Sequence, residues 1–119
     1  MRKVNVEEKF AQFEETWSPR IVAELNGQHV KVARLQGEFV WHAHEHEDEL
    51  FWVVRGRLTL RFRDGEQTLG PGELIVVPRG VEHLPVCEEE TWVVLFEPAS
   101  TVNTGTAGGE RTVTDLPRL

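Results

Sequence analysis

The sequence predicts an all-β domain, a small barrel or sandwich, preceded by a short helix. Leu58, Leu60 and Phe62 alternate with threonine and arginine, the pattern of an antiparallel strand that buries one face and exposes the other. Turn-forming or charged residues, such as Gly70-Pro71-Gly72 and Glu88-Glu89-Glu90, separate the apolar stretches. The predicted strands of this region cover residues 39–44, 50–54, 58–62, 67–69, 74–77, 83–87 and 91–96. Many short strands joined by turns are typical of sandwiches and barrels.

The beginning of the chain predicts a helix followed by a β-hairpin. Phe10, Phe13 and Trp17 recur at positions i, i+3 and i+7, which predicts a short amphipathic helix over residues 7–17. Ser18-Pro19 would end this helix, because the residue before a proline is displaced from the helical region. Residues 21–25 and 29–35 then flank Asn26-Gly27, a pair favoured in two-residue hairpin loops of type I′.

Length and composition restrict the class of protein. A chain of 119 residues can bury one core without disulfides, and Cys87, the only cysteine, has no intrachain partner. The net charge of -7 and the scattered basic residues disfavour nucleic-acid binding. No apolar run approaches the roughly 20 residues of a membrane-spanning helix, and the first residues lack the apolar segment of a signal peptide. We therefore expect a cytoplasmic protein that binds neither nucleic acid nor membrane.

The chain divides into three expected segments. Residues 1–20 form a helical N-terminal segment, and residues 21–98 form the β-barrel. After Pro98 the periodicity is lost, and glycine and threonine become frequent. We therefore expect residues 99–119 to be a loop or tail that packs on the barrel or on a partner subunit.

Four of the five histidines lie in two short stretches, and three of these four, with one glutamate, are candidate metal ligands. His42 and His44 would share one face of the predicted strand, because side chains alternate along a strand. Glu49 begins the next inward-facing row, and His83 follows a predicted turn at Pro78-Arg79-Gly80. Imidazole nitrogens and a carboxylate oxygen suit a divalent transition metal ion such as iron, manganese, nickel, copper or zinc. The sequence predicts one metal site formed by His42, His44, Glu49 and His83.

Neighbouring residues have other interpretations. His46 continues the alternation of His42 and His44, but the polar run around it predicts that the strand ends first and that His46 is solvated. Cys87 shares the strand face of His83 and is expected to be a small buried hydrophobe, with a thiolate ligand or redox role as the alternative. A register shift of one residue would exchange Glu49 for another acidic neighbour among Glu45, Glu47 and Asp48.

The remaining histidine and the aromatic residues are expected to be structural. His29, on the predicted hairpin, is expected to be structural or exposed. The aromatic residues interleaved in predicted strands are expected to form core, and these are Trp41, Phe51, Trp52, Trp92 and Phe96. The alternative for His42 and His44 is that both are solvated surface residues.

The two histidine stretches resemble the two motifs of the cupin superfamily. The first motif, a glycine, His-x-His, a glutamate and a second glycine, is matched by Gly37, His42, His44, Glu49 and Gly56. Four residues separate Gly37 from His42, where the family usually has five. The second motif is matched by Gly72, Pro78, Gly80 and His83, and Cys87 stands where the family usually has asparagine.

The resemblance implies a fold, a site and an assembly. It implies a double-stranded β-helix, or jelly-roll barrel, of about six to eight strands with a metal ion near its mouth. His42, His44, Glu49 and His83 would hold the ion, and small single-domain cupins of this kind are often labelled mannose-6-phosphate isomerase-like. The family also implies a homodimer and a small-molecule ligand or substrate.

Several functions remain open on the sequence alone. A metal-binding cupin with an open coordination position could polarise an oxygen of a small organic substrate, or activate oxygen if the metal is iron. A non-catalytic sensor or carrier is the main alternative, and a degenerate cupin kept for assembly is another. A sugar or sugar-phosphate isomerase would need cations around its phosphate, for which Arg55 and Arg79 are candidates. The sequence identifies no dedicated catalytic residue.

Overall fold

The computed structural model describes residues 1–119, and most of its ordered backbone belongs to one seven-stranded antiparallel sheet. The elements are α1 (Val6–Phe10), β1 (Arg20–Leu25), β2 (Gln28–Glu38), β3 (Glu49–Arg55), β4 (Leu58–Phe62), β5 (Gly65–Leu69), β6 (Leu74–Val77) and β7 (His83–Pro98). Hydrogen-bonded neighbours follow the order β1-β2-β7-β3-β6, and β4 pairs with β5 and β7. Asn26 and Gly27 join β1 to β2 with φ of 50° and 75°, as a type I′ turn requires. The all-β fold and the hairpin are therefore confirmed.

The long strand β7 organises the sheet and brings polar residues to one end of the core. Its first residues pair with β4, and its later residues lie between β2 and β3. The inward rows of these strands are apolar for most of their length, and their buried side chains are Ala33, Leu35, Phe51, Val53, Leu58, Leu60, Leu69, Val77, Cys87, Val93 and Leu95. At one end the rows of β2, β3 and β7 continue with Lys31, Glu49 and Glu97, all of them buried. Three charged residues thus lie buried at one end of an otherwise apolar core.

The predicted helix over residues 7–17 is wrong in its length. Helix α1 ends at Phe10, and Phe10 and Phe13 pack on the outer face of the sheet. The chain then turns at Ala11 and Gln12 and reaches β2, where the Trp17 backbone N–H donates to the Arg34 carbonyl at 2.8 Å. This contact with β2 draws Trp17 away from the apolar stripe. No helix of the chain is long and apolar enough to cross a membrane.

Two predicted strand boundaries are also wrong. Residues 39–44 are not a strand: β2 ends at Glu38, and the next segment has only an isolated bridge between His42 and His83. Residues 88–90 are not a turn, because β7 runs through them. The register between β2 and β7 shifts between Leu35 and Gly37, and the exposed glutamates of β7 lie opposite this shift. A bulge thus exposes these glutamates without ending the strand.

The outer face of the sheet is apolar and only partly covered. The N-terminal segment covers Val32 and its neighbours. Further along, Trp52, Leu74 and Val76 on β3 and β6 remain 46%, 53% and 51% exposed. The prediction that Trp52 belongs to the core is wrong, because its position on β3 alternates with the inward-facing Phe51 and Val53. Of the other aromatic residues predicted as core, Phe51 is buried, whereas Trp41, Trp92 and Phe96 are half-buried.

Residues 99–119 contain neither helix nor strand and return along the barrel. Ile21 of β1 forms two backbone hydrogen bonds of 2.9 Å with this segment, one to the Pro117 carbonyl and one from the Leu119 N–H. Thr104 is fully buried, and its hydroxyl lies 2.6 Å from that of Thr112. The segment therefore packs on the rest of the chain by defined hydrogen bonds.

Candidate metal centre

The structure brings His42, His44, Glu49 and His83 together, and these four residues are called the cluster from here on. One possible ligand atom from each residue lies within 4.8 Å of the other three, and all four side chains are buried. The Glu49 Oε1 atom is 3.4 Å from the Nε2 atoms of both His44 and His83. Two donors that each lie about 2.1 Å from one ion are at most about 4.2 Å apart, so small side-chain movements suffice to bring all four to one ion.

Backbone contacts orient two of the imidazoles. The His42 Nδ1–H donates to the Val40 carbonyl at 2.9 Å, and the His83 Nδ1–H donates to the Val81 carbonyl at 3.0 Å. A carbonyl oxygen only accepts, so these contacts fix the tautomer with hydrogen on Nδ1. The Nε2 lone pairs of His42 and His83 are then available toward the cluster, as metal ligation requires.

The buried donor atoms of the cluster lack other partners. The Nε2 atoms of His44 and His83 and the Glu49 Oε1 atom are buried and accept or donate no hydrogen bond. Buried polar atoms are normally paired, and a site for a metal ion is one accepted explanation when they are not. Three imidazoles and a carboxylate are also a donor set that divalent transition metals prefer. The residues present therefore fit such an ion.

The neighbours of Glu49 are engaged elsewhere, which distinguishes Glu49 from them as the inward carboxylate. The Asp48 Oδ1 atom accepts a hydrogen bond of 2.8 Å from the Arg79 backbone N–H, which ties the Pro78-Arg79-Gly80 turn to the start of β3. Glu47 accepts from the Ser100 hydroxyl at 2.9 Å, and Glu45 is exposed. Glu49 therefore occupies the position that the motif predicts for the acidic ligand.

The loop that carries His42 and His44 is held by the C-terminal segment. The Thr106 N–H donates to the Ala43 carbonyl at 2.9 Å, and the Ala43 N–H donates to the Thr106 hydroxyl at 3.1 Å. Gly105 has a positive φ of 49°, and a Cβ there would lie 2.1 Å from the Ala43 carbonyl oxygen. This close approach replaces the strand pairing that the sequence predicts for residues 39–44.

The pKa values of His42 and Glu49 favour the protonation states that bind a metal ion. Burial, together with the neighbouring His83, lowers the pKa of His42 from 6.5 to about 4, so the ring is neutral near pH 7. Burial alone would raise the pKa of Glu49, but the adjacent side chains of Glu97, His44 and His83 hold it well below its usual range. A neutral imidazole and an ionised carboxylate are the forms that bind a metal.

The low pKa of His42 predicts a pH-dependent stability of the metal-free protein. Histidine in the unfolded chain titrates near 6.5, so between about pH 6.5 and 4 the unfolded chain binds a proton that folded His42 does not. The free energy of unfolding should therefore fall as the pH falls through this range, by about 3 kcal/mol in total. Urea unfolding of chelator-treated protein at pH 7, 6 and 5 measures this. His42→Gln should flatten the slope and His46→Ala should not, and equal slopes in all three proteins would contradict the assignment.

Two further charged residues belong to the site, and neither was singled out in the sequence. Lys31 Nζ donates to Glu97 Oε1 at 2.7 Å, and each side chain is only 2% exposed. β3 and β7 pair Leu50 with Phe96, so the next step of the register places Glu49 opposite Glu97. Burial and the Glu49 carboxylate raise the pKa of Glu97 well above its usual range, although Lys31 acts in the opposite direction. Glu97 thus accepts from Lys31 and lies beside the Glu49 carboxylate.

A sequence signal for this pair existed. Glu97 follows Val93 and Leu95 in the inward parity of β7, and Lys31 precedes Ala33 in the inward parity of β2. Charged residues on an apolar face are unusual unless they are paired. The pairing partner, however, depends on the register between strands more than 60 residues apart.

The other candidates lie outside the cluster. His46 is 85% exposed, as the sequence predicts. Cys87 is fully buried within the apolar core, and burial raises the pKa of its thiol to about 11, which disfavours a thiolate. His29 is half-buried on β2, where its Nε2 atom lies 3.5 Å from Glu24 Oε1.

A cavity adjoins the cluster on its apolar side. Its empty space, counted out to the open mouth, is about 440 Å³. The lining residues are Trp17, Pro19, Ala33, Leu35, Phe39, His42, Glu49, Phe51, Pro85, Val93, Leu95, Glu97 and Asn103. A small molecule in this cavity would therefore contact His42 and Glu49 directly.

Comparisons with known proteins identify a family domain and similar folds. A family model described as a Cupin domain matches residues 28–97. A solved cupin-2 domain containing protein from Shewanella frigidimarina NCIMB 400 is 45% identical, with a TM-score of 0.79, over 80% of this chain and 93% of that chain. Protein NMB1881 from Neisseria meningitidis is 31% identical, with a TM-score of 0.76, over 82% of this chain and 100% of that chain. These likenesses support the predicted jelly-roll barrel.

A further relative is described as uncharacterized and therefore suggests no activity. The uncharacterized protein YdbB from Bacillus subtilis (strain 168) is 35% identical over 79 residues, which are 66% of this chain and 64% of YdbB. The match therefore spans less than two thirds of the length of YdbB. The descriptions of these relatives mention no isomerase, and the mannose-6-phosphate isomerase-like label is not confirmed.

Proposed function

Because this chain belongs to the cupin family, as the match of residues 28–97 shows, we propose that it binds one divalent transition metal ion and presents it to a small organic molecule. His42, His44, Glu49 and His83 would hold the ion. The observation that carries the proposal is the convergence of three buried atoms without hydrogen-bond partners, His44 Nε2, His83 Nε2 and Glu49 Oε1. Four protein ligands leave one or two coordination positions for a ligand in a five- or six-coordinate site.

The chain's own residues support this role in distinct ways. The Val40 and Val81 carbonyls hold two imidazoles with Nε2 facing the cluster. Lys31 donates to Glu97 and holds it beside Glu49. When bound, a divalent ion would polarise a hydroxyl or carbonyl oxygen of the small molecule.

Elemental analysis tests the metal proposal. Protein purified without a metal-affinity step should carry close to one equivalent of a transition metal, or should take up one equivalent when incubated with Fe²⁺, Mn²⁺, Ni²⁺, Cu²⁺ or Zn²⁺ separately. A chain that binds none of these ions would refute the proposal.

A non-catalytic sensor or carrier is the second candidate function, favoured by the absence of a dedicated acid–base pair beyond the cluster itself. Oxygen uptake by the Fe²⁺-loaded protein, with small hydroxylated organic molecules as substrates, separates the two functions. Metal-dependent uptake favours an enzyme. Stoichiometric ligand binding without uptake or product favours the sensor. The sugar-phosphate isomerase has less support, because neither Arg55 nor Arg79 lines the cavity beside the cluster.

We also propose a homodimer formed through β6 and the outer face of β3. β6 pairs only with β3, and Leu74 and Val76 on it are 53% and 51% exposed. An unpaired edge strand can pair antiparallel with its own copy about a two-fold axis. Light scattering should report a dimer for the wild type and for Val81→Lys, and a monomer for Val76→Lys. A wild-type monomer at micromolar concentration would contradict the proposal.

A further inference from the structure

The cavity beside the cluster is suited to an uncharged molecule. No lysine or arginine lines it. The buried cation nearby, Lys31, donates to Glu97 at 2.7 Å and does not face the cavity. The Glu49 carboxylate, which does line it, would repel a phosphate or a carboxylate, and burying an unpaired charge is costly. An anionic ligand would therefore find no matching side chain.

The size of the cavity restricts the ligand further. Its empty space of about 440 Å³ includes the open mouth. The part open to the centre of a water molecule is only about 40 Å³. One water needs roughly 10–15 Å³ of such space, so this part holds about three or four waters and a larger ligand would extend into the open mouth. Most of the wall is apolar, and its polar side chains are those of His42, Glu49, Glu97 and Asn103. This distribution suits a small apolar body with one oxygen directed at His42 and Glu49.

Trp17 forms part of this wall in a conformation that its own side chain disfavours. Its φ is 56°, in the left-handed region that bulky residues rarely adopt. Two hydrogen bonds of 2.8 Å to β2 hold it there, from the backbone N–H to the Arg34 carbonyl and from the indole N–H to the Gln36 carbonyl. Backbone strain of this kind is kept where the surrounding structure requires it, often at ligand-binding sites.

The indole of Trp17 is linked to His42 through Phe39. Trp17 and Phe39 stack with ring centroids 4.7 Å apart and planes inclined by 17°. Phe39 in turn contacts the His42 ring edge-to-face at 5.4 Å. The Arg111 guanidinium lies 5.6 Å from the Trp17 ring and 5.7 Å from the Phe39 ring, which further fixes the pair. Trp17 and Arg111 both lie outside residues 28–97, the part that matches the family domain.

We infer that Trp17 is a specificity-determining residue, and that the cavity it lines binds a small uncharged molecule with an apolar, preferably aromatic, body and a hydroxyl or carbonyl oxygen. The oxygen faces His42 and Glu49, and the body lies against Trp17 and Phe39. One part of the inference rests on the proposed function, namely that the oxygen of the bound molecule would contact the metal ion.

Calorimetric titration with benzyl alcohol, benzoate and glucose 6-phosphate tests this inference on the Zn²⁺-loaded and the metal-free full-length protein. Benzyl alcohol should bind most tightly of the three to the metal-free form, and it should also bind to the Zn²⁺-loaded form. Trp17→Leu should weaken its binding about 10-fold, because a stacking partner is lost, and Trp17→Phe should restore most of it. Trp52→Leu is the matched control, since Trp52 lies on the outer face of the sheet, and it should bind as the wild type does. Phe39→Leu serves as a second cavity variant should Trp17→Leu fail to fold.

The outcomes separate this inference from the metal proposal. Zn²⁺ stoichiometry is measured on the same samples, and Trp17→Leu should leave it unchanged. Trp17-dependent binding of benzyl alcohol to a protein that takes up none of Fe²⁺, Mn²⁺, Ni²⁺, Cu²⁺ and Zn²⁺ would support the cavity and refute the metal site. Tighter binding of benzoate or glucose 6-phosphate than of benzyl alcohol in the metal-free protein would overturn the inference. So would equal benzyl alcohol affinity of the wild type and the cavity variants.

Discussion

His83→Ala is expected to lower the affinity of the protein for Co²⁺ by more than about 100-fold, because loss of a ligand exceeds the 10- to 100-fold effect of losing a residue that only supports one. His83 is fully buried, bridges to His42 through the backbone and directs Nε2 toward Glu49. Calorimetric titration of chelator-treated protein measures the affinity, and the visible absorption of bound Co²⁺ reports the geometry of its ligands. The spectrum of the wild type should be that of a site with mixed nitrogen and oxygen donors.

Two controls separate lost ligation from lost structure. His46→Ala removes an imidazole that is 85% exposed and should leave Co²⁺ affinity unchanged. His83→Gln keeps most of the buried volume, so thermal unfolding of the metal-free variant should stay close to that of the wild type while Co²⁺ affinity is still lost. Equal loss of affinity in His46→Ala and His83→Ala would place the metal elsewhere.

Lys31→Met is expected to destabilise the protein by about 3 kcal/mol, because Glu97 loses its donor and a buried carboxyl group is left without that partner. Lys31→Met combined with Glu97→Leu removes both polar groups and should recover stability to within about 1.5 kcal/mol of the wild type, as for other buried pairs replaced by apolar residues. Urea unfolding at pH 7 gives both free energies.

An exposed pair supplies the comparison for this prediction. Arg63 and Glu82 lie 3.0 Å apart, with side chains 58% and 53% exposed. Glu82→Gln should therefore cost less than about 1 kcal/mol. A Lys31→Met variant no less stable than Glu82→Gln would show that Lys31 reaches solvent, in conflict with the buried contact to Glu97.

The sequence predicted those features that depend on local chemistry. The Asn26-Gly27 hairpin follows from positive φ at two adjacent residues, and the inward row from Glu49 to Val53 follows from simple alternation. The convergence of His42 and His44 was expected for the wrong reason. They lie on an irregular segment, and Thr106, more than 60 residues away, holds the backbone between them.

Features that depend on pairing between distant segments were not predictable from local pattern. Predicting the Lys31–Glu97 contact requires the register of β2 against β7. Predicting the exposure of Trp52 requires knowing which part of the outer face the N-terminal segment covers. The end of α1 at Phe10 likewise results from the later pairing of Trp17 with β2. In each case contacts between distant segments outweigh the preference of the local sequence.

Anomalous diffraction from crystals of the metal-loaded protein tests the central claim most directly. Data collected above and below the absorption edge of the bound metal should show one anomalous peak per chain, about 2.0–2.2 Å from the Nε2 atoms of His42, His44 and His83 and from a Glu49 carboxylate oxygen. A fully loaded protein with no peak at these four residues, or with its strongest peak at His29 or His46, would contradict the account.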